Sequence, residues 1–171
     1  MADMLVKLYD LPELAPVLTK QALNGVQIRR AHPDEKHIIA QWVGAHINPH
    51  WSIGCEVALE QRPPTCYIAF EKDSSFVPTN DPYDLPAEIL LGFVVYDVVA
   101  KGVLGPIGVR EDRRDAQIGT ALLLTGLHAM AVDRYAYAVI GWAGPVEWYA
   151  RTVGATLIEN SEPGVFRGSL H

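Results

Sequence analysis

Short stretches in which apolar and polar residues alternate predict strands in this chain, and stretches with apolar residues every three to four positions predict helices. Val26 to Ala31 alternates as a half-buried strand does. His32 is followed by a proline and two carboxylates, which predict the start of a helix that runs to about His46. The apolar residues expected on its buried side are Ile38, Ile39, Trp42 and Val43.

Prolines and a polar stretch separate the next predicted elements. A second helix is predicted from about Trp51 to Glu60, before Pro63 and Pro64 stop it. Thr65 to Phe70 is the next predicted strand. Residues 73–88 are rich in proline, serine and aspartate and predict a polar loop, which is either a lid over a substrate or a tolerated surface insertion.

A hairpin and a crossover are predicted in the second half of the chain. Ile89 to Ala100 and Val103 to Val109 flank Lys101-Gly102 and predict two antiparallel strands. A helix from Ile118 to about Arg134 carries apolar residues on more than one side, which implies that it is enclosed. Tyr137 to Trp142 is an apolar run after this helix and predicts an interior strand parallel to the preceding one.

A short helix and a strand pair are predicted in the last part of the chain. The helix runs from Val146 to Val153, with Gly154 as its C-terminal cap. Ala155 to Glu159 and Gly164 to Ser169 predict a closing antiparallel pair, whereas residues 1–23 are an N-terminal arm without a definite predicted element. The order β-α-α-β-β-β-α-β-α-β-β predicts an α+β fold with a mixed, mostly antiparallel sheet and one parallel strand pair.

Composition indicates an ordinary globular domain. With 171 residues, 49% of them apolar and 20% charged, we expect one domain that spans residues 1–171. The net charge is −6 and the acidic residues are scattered, so the basic surface that nucleic acids require is missing. The two cysteines are too few for a disulfide framework, and we find no export signal and no apolar stretch of about 20 residues. We therefore expect a cytoplasmic protein that binds neither nucleic acid nor membrane.

Candidate chemistry is concentrated between Gly105 and Leu123. An apolar strand ends there, a polar turn follows, and a helix begins with Gly119 in its first turn. The first N–H groups of a helix have no partner within it and the dipole adds about half a positive charge, so this arrangement stabilises an anion such as a pyrophosphate. Arg113 and Arg114 add charge at the rim, and Gly119 lets a ligand approach the backbone closely.

This segment resembles the pyrophosphate motif of the GCN5-related N-acetyltransferases, which is Arg/Gln-x-x-Gly-x-Gly/Ala after a strand that ends in valine. Val109 and the run Arg114-Asp115-Ala116-Gln117-Ile118-Gly119 occupy the matching positions, with Gln117 where the motif has glycine. About thirty residues later, Trp148 to Ala155 resembles the aromatic-tyrosine segment, short helix and glycine of the family. The resemblance covers roughly residues 24–169 and implies a three-layer α/β/α fold with a splayed parallel strand pair.

The resemblance also implies a cofactor site in the gap between the splayed strands. Acetyl-CoA would lie there as co-substrate, with its pantetheine arm bonded to the main chain near Ile107 and Val109, and a backbone N–H near Ile107 would stabilise the oxyanion. Tyr149 is the predicted catalytic residue, which protonates the departing thiolate, and the alternative is a buried core tyrosine. The predicted cofactor-binding residues are Ile107, Gly108, Val109, Arg114, Asp115, Ala116, Gln117, Ile118, Gly119 and Thr120.

The sequence does not assign a general base. Family members often use a glutamate on the strand before the pyrophosphate loop, and here that strand has no carboxylate. Asp97 and Glu56 are candidates that would act through water, and the alternative for each is a solvated surface charge.

Two further patterns are not interpreted as a metal site or a nucleophile. His46 and His50 are four residues apart, but Pro49 disrupts the helical register between them and a third metal ligand is not evident. Cys55 lacks the strand-turn-helix context of a nucleophile and is expected to be a small buried thiol.

The predicted activity is transfer of an acetyl group from acetyl-CoA to the primary amine of a small molecule or peptide. The alternative is a non-catalytic module that binds acyl-CoA or a protein partner on the same scaffold. Family resemblance is also the basis for expecting a homodimer.

Overall fold

A seven-stranded mixed sheet forms the centre of the fold, in a computed structural model that describes residues 1–81 and 88–170. The strands are β1 (Met4–Lys7), β2 (Val26–Arg30), β3 (Cys66–Lys72), β4 (Glu88–Tyr96), β5 (Val103–Val109), β6 (Tyr137–Ile140) and β7 (Thr156–Leu157). Their order across the sheet is β2-β3-β4-β5-β6-β1-β7, and every neighbouring pair is antiparallel except β5 and β6. The predicted α+β class with one parallel pair is confirmed.

Helices cover both faces of this sheet. In the described part of the chain they are α1 (Leu14–Leu23), α2 (Lys36–His46), α3 (Trp51–Glu60), α4 (Ile118–Val132) and α5 (Val146–Val153). Helices α1, α4 and α5 share one apolar cluster with the sheet, and α2 and α3 share a second cluster. Most residues of α4 are buried, as its apolar composition predicts. Among the described residues, every helix falls short of the length and apolarity needed to cross a lipid bilayer.

Local signals predict several elements with their correct bounds. α3, β5 and α5 begin and end as predicted, and Gly154 ends α5 with φ 65°. A 3-10 turn at Pro33–Glu35 precedes α2, and the His32 N–H donates to the Glu35 carboxylate at 2.7 Å. The prediction that Ile38 is buried is wrong: it is 66% exposed, because Ile39 and Val43 fill the sheet-facing side of α2.

The turn between β4 and β5 is longer than predicted. β4 ends at Tyr96 rather than Ala100, because Asp97 has φ 59° and leaves the strand conformation. The Asp97 carboxylate accepts the Gly102 N–H at 2.8 Å and the Tyr135 hydroxyl at 2.8 Å, and these bonds hold the six-residue turn. Of the predicted polar loop at 73–88, residues 73–81 contain no helix or strand, Glu88 opens β4, and residues 82–87 lie outside the described part.

The predicted C-terminal strand pair is wrong, and the N-terminal arm takes its place. β1 lies between β6 and β7 and pairs antiparallel with both. Met4 and Val6 are buried in the core, whereas Gly164–Phe166 is a 3-10 turn. The buried Asp3 carboxylate accepts the N–H groups of Trp142 at 3.1 Å and Val165 at 3.0 Å, so it joins the N-terminal segment to the segment after β7. These contacts are long-range, and the local pattern does not contain them.

Candidate functional site

The parallel strands β5 and β6 diverge after two residue pairs. Val103 pairs with Val139 and Leu104 with Ile140, and beyond these residues β6 ends while β5 continues to Val109. Ile107, Gly108 and Val109 therefore pair with β4 only, and residues 105–106 lie at an irregularity in that pairing. Their other edge presents main-chain N–H and C=O groups to a gap, apart from Pro106, which has no N–H. The splay implied by the family resemblance is present.

The two faces of β5 have different surroundings. Ile107 and Val109 pack against the cluster that contains α4. A Cβ at Gly108 would point to the opposite face, where it would lie 2.6 Å from Ile47 Cγ2 and 3.4 Å from Trp51 Cζ3. The segment between α2 and α3 therefore closes over Gly108, and any side chain at this position would displace it.

The turn after β5 forms a candidate anion site. Residues Glu111–Ala116 form a 3-10 turn, and Gln117 follows with φ 59° and ψ 19°, the left-handed conformation that glycine adopts without strain. α4 begins at Ile118 and has no side-chain cap. No described residue accepts a hydrogen bond from the N–H groups of Ile118, Gly119 and Thr120. These amides and the helix dipole favour a negatively charged group.

Gly119 has room for a methyl group. A Cβ there would lie 3.6 Å from Val109 Cγ2 and 3.8 Å from Trp148 Cζ2, which are ordinary contact distances. Glycine costs about 1 kcal/mol relative to alanine inside a helix, so packing within the protein does not account for this residue. Close approach of a ligand to the backbone would account for it.

Most of the charge on this turn is internally compensated. Arg110, Arg113 and Arg114 balance Glu111, Asp112 and Asp115, so residues 110–117 have no net charge. The Arg110 guanidinium pairs with Asp112 at 2.6 Å, and Arg113 pairs with Glu71 at 2.6 Å. Arg114 is exposed and forms no ion pair with a described residue, and its Nε lies 3.5 Å from the Val109 carbonyl oxygen. Of the two arginines expected at the rim, Arg114 is therefore the one whose charge is available.

Helix α1 reaches the same turn from the N-terminal part of the chain. Lys20 Nζ donates to Gln117 Oε1 at 3.1 Å, and Gln21 Nε2 donates to the Ala116 carbonyl at 2.9 Å. Gln21 is only 2% exposed, and its Oε1 has no partner among the described residues. This contribution of α1 is not evident in the sequence, because nothing in its local pattern indicates a contact almost a hundred residues away.

Helix α5 borders the other side of the turn. The indole of Trp148 contacts the Gly119 position, and its ring centroid lies 4.8 Å from that of Tyr149. Tyr149 is 5% exposed, and burial raises the pKa of its phenol to about 12. Its hydroxyl makes no hydrogen bond to the described residues, so the phenol is a protonated donor that the protein leaves without an acceptor.

The candidate general bases lie in different settings. The Asp97 carboxylate is engaged by Gly102, Tyr135 and, at 3.3 Å, by Lys101 Nζ in the turn between β4 and β5. Glu56 is exposed on α3 and borders a shallow surface hollow between α2 and α3. Neither carboxylate belongs to β5, and the structure assigns no base to the gap.

His46 and the two cysteines pack against other parts of the protein. His46 Nδ1 lies 3.1 Å from the Trp42 carbonyl oxygen, and the two rings stack with centroids 5.3 Å apart. Cys55 is fully buried, as predicted, and burial raises its pKa to about 12. Burial also raises the pKa of the Cys66 thiol. Both thiols are therefore protonated and shielded at neutral pH.

Comparison with known proteins gives no match to a family model. No curated protein sequence matches the chain either. Solved structures do share its fold. A GCN5-related glucosamine N-acetyltransferase region of a fungal multi-domain GH3 β-N-acetylglucosaminidase has a TM-score of 0.68 at 12% identity, over 92% of this chain and 19% of that chain.

Two bacterial structures give a similar result. A GCN5-related N-acetyltransferase from Sphaerobacter thermophilus has a TM-score of 0.61 at 16% identity, over 92% of this chain and 48% of that chain. One from Kribbella flavida has a TM-score of 0.55 at 16% identity, over 91% of this chain and 53% of that chain. This chain thus spans from about a fifth to about half of the length of these proteins. At such low identity the likeness establishes the fold.

Proposed function

We propose that this chain, which has the fold of the GCN5-related N-acetyltransferases, transfers an acetyl group from acetyl-CoA to the primary amine of a small molecule or peptide. The observation that carries the proposal is the junction of two features. The uncapped amides at the start of α4 lie beside the end of the strand edge that β6 leaves unpaired, where a Cβ on Gly119 would be 3.6 Å from Val109 Cγ2. The α4 amides are suited to a diphosphate, and the free edge of β5 is suited to an extended chain that carries amide groups.

The residues present fit the two ends of CoA. The pantetheine arm carries amides that can pair with the main chain of Ile107 and Val109 along the free edge of β5. The diphosphate fits the amides of Ile118, Gly119 and Thr120, where Gly119 has no Cβ in the way. Arg114 adds a charge-assisted donor at the rim. Bound acetyl-CoA would supply the activated thioester carbonyl.

Transfer is a direct displacement at this carbonyl. The neutral amine forms the new C–N bond, the C–S bond breaks, and the amine loses a proton while CoA leaves as thiolate. A main-chain N–H near Ile107, on the edge that β6 does not pair, stabilises the oxyanion in this reaction. Tyr149 donates a hydrogen bond to the departing sulfur rather than transferring its proton, as the sequence led us to expect, because a phenol with a pKa of about 12 stays protonated. A thiol has a pKa of about 8.5, so the thiolate leaves without taking the proton of Tyr149.

The amine proton passes to water in this proposal. β5 has no carboxylate, and the face of the strand at Gly108 is closed by Ile47 and Trp51. The acceptor therefore has to arrive as free amine, and the rate should rise with pH towards the pKa of the amine.

Binding and turnover test the proposal separately. Acetyl-CoA should raise the melting temperature, by an amount equivalent to about 2.7 kcal/mol at 100 times its Kd. A panel of amines, amino acids, polyamines and peptides should then include an acceptor that releases CoA thiol. Cys55 and Cys66 are fully buried, so they do not contribute to a thiol readout of the folded protein. Absence of any thermal shift at millimolar acetyl-CoA contradicts both binding and transfer.

A second candidate function is favoured by two differences from the pattern of the family. Gln117 replaces the motif glycine, and β5 carries no carboxylate, which suits a non-catalytic module that binds acyl-CoA. Cofactor binding without thiol release from any amine in the panel would support this function over transfer.

A further inference from the structure

The last turn of α1 brings an ammonium group to the turn that precedes α4. Lys20 is exposed, and its Nζ lies 3.1 Å from Gln117 Oε1. The next residue, Gln21, is buried and bonded to the Ala116 carbonyl, which fixes the end of α1 against this turn. The backbone of Lys20 is therefore held beside the candidate diphosphate site, and its exposed side chain reaches Gln117 there.

The turn itself has little charge to offer a phosphate. Residues 110–117 have no net charge, and two of their three arginines are already paired with carboxylates. A CoA molecule carries several phosphate charges, and backbone amides contribute only partial positive charge. Arg114 provides one available positive charge on the turn, and Lys20, which α1 brings to the same turn, adds a second.

Gln117 provides the link between the two segments. It occupies the left-handed position, where its side chain accepts one of the three hydrogen bonds that the lysine ammonium can donate. The other two donors of Lys20 bond no described residue and are open to a ligand. Gln117, which replaces the glycine of the motif, thus holds the Lys20 ammonium beside the start of α4.

We propose that Lys20 is a phosphate-binding residue of this site and that Gln117 positions it. This inference rests on the proposed function, since it assumes that CoA binds at the start of α4. The shared chemistry is a phosphate ester or diphosphate of the nucleotide half of CoA. Lys20 donates two hydrogen bonds to its oxygens, while its third N–H continues to donate to Gln117 Oε1.

Equilibrium titration of CoA at low ionic strength tests the assignment. Lys20→Gln should weaken CoA about two- to fivefold, which is the range for loss of one solvent-exposed charge pair. The melting temperature of the free protein should not change, because the lysine bonds a neutral amide at the surface. Lys7→Gln is the matched control, since it removes the same charge at the closed end of the gap, where Lys7 pairs with Tyr137.

Comparison with 3′-dephospho-CoA identifies the phosphate. Equal weakening of both ligands assigns the diphosphate, and weakening of CoA alone assigns the 3′-phosphate. Gln117→Asn keeps a residue that tolerates the left-handed conformation but shortens the side chain, so the effect of Lys20→Gln should be smaller in that background. If wild type binds CoA and Lys20→Gln binds it equally well, the inference is overturned. If wild type does not bind CoA, the proposed function fails instead.

Discussion

The Trp148 indole lies against the first turn of α4, with its Cζ2 atom 3.8 Å from the position that a Cβ on Gly119 would occupy. This contact joins the two sequence segments that carry the family resemblance, the glycine turn and the aromatic segment. It also defines how much space a ligand has beside the α4 amides. The pair can be tested by adding one methyl group.

Gly119→Ala should separate ligand binding from stability. The new methyl meets only ordinary contacts, and alanine favours the helix, so the free energy of unfolding should stay constant or increase by up to about 1 kcal/mol. CoA affinity should fall about five- to tenfold, because the Cβ stands between the diphosphate and the backbone. Urea unfolding and CoA titration measure the two effects.

Gly126→Ala is the control on the same helix. Its Cβ would lie 3.0 Å from Leu104 Cδ1 and 3.3 Å from Val94 Cγ2, so this change affects core packing. The CoA affinity of the folded protein should stay the same. Unchanged CoA affinity in Gly119→Ala would show that the diphosphate does not approach this residue.

The sequence predicts the elements around this contact better than the contact itself. The bounds of α3, β5 and α5 follow from prolines, glycines and apolar periodicity within each segment. The start of α4 and the divergence of β5 from β6 were also anticipated, the first from the pattern and the second from the family resemblance. These features depend on residues close together in the chain or on a short motif.

Contacts between distant segments account for most of what sequence reasoning missed. β1 has only four residues, and its place between β6 and β7 depends on partners at least 130 residues away. The approach of Lys20 to Gln117 likewise depends on how α1 packs along α4. Polarity and periodicity indicate which side of α1 is buried, but they do not indicate which loop its last turn meets.

Gln117→Gly should stabilise the protein. A side chain in the left-handed conformation costs about 1–2 kcal/mol, and the greater freedom of glycine in the unfolded chain offsets about 0.4–1 kcal/mol of the gain. The expected net change is an increase of up to about 1.6 kcal/mol, or up to about 6 °C in melting temperature. Differential scanning calorimetry measures this change.

Gln41→Gly is the control and should lower the stability of the protein. Gln41 is exposed in the middle of α2, where glycine should cost about 1 kcal/mol. A fall in melting temperature for both variants would mean that the Gln117 side chain, through its bond to Lys20, contributes more than its backbone conformation costs.

Stability should fall as the pH rises above about 9. Burial raises the pKa of Cys55 from 9.0 to about 12, so the unfolded chain loses this proton at lower pH than the native protein does. The stabilisation is complete below pH 9 and is lost as the pH rises towards 12. At pH 10.5 this thiol alone should lower the free energy of unfolding by about 2 kcal/mol relative to pH 7.

Cys55→Ala should make this pH dependence shallower. Val43→Ala, in the same apolar cluster, should reduce stability at pH 7 without changing the slope. Urea midpoints between pH 7 and 10.5 give the comparison. Parallel curves for wild type and Cys55→Ala would show that the thiol is not the group responsible. Tyr135, whose pKa burial raises to about 12, would then be the candidate group.

Tyr149→Phe should reduce turnover while leaving the fold and CoA affinity unchanged. The hydroxyl has no hydrogen-bond partner among the described residues, so its removal costs the folded protein no bond. A hydrogen bond to a developing thiolate contributes about 1.5–3 kcal/mol, so kcat should fall about 10- to 100-fold. The pH profile should keep its shape, because a phenol with a pKa of about 12 does not ionise below pH 10.

Tyr96→Phe is the control for Tyr149→Phe. The Tyr96 hydroxyl donates to Asp133 at 2.7 Å, so its loss should lower stability by about 1 kcal/mol and leave the turnover of the folded protein intact. The two tyrosines thus have opposite expected effects on stability and on rate. Wild-type kcat in Tyr149→Phe, measured by thiol release at saturating amine, would remove Tyr149 from the reaction and leave it as a core residue beside Trp148.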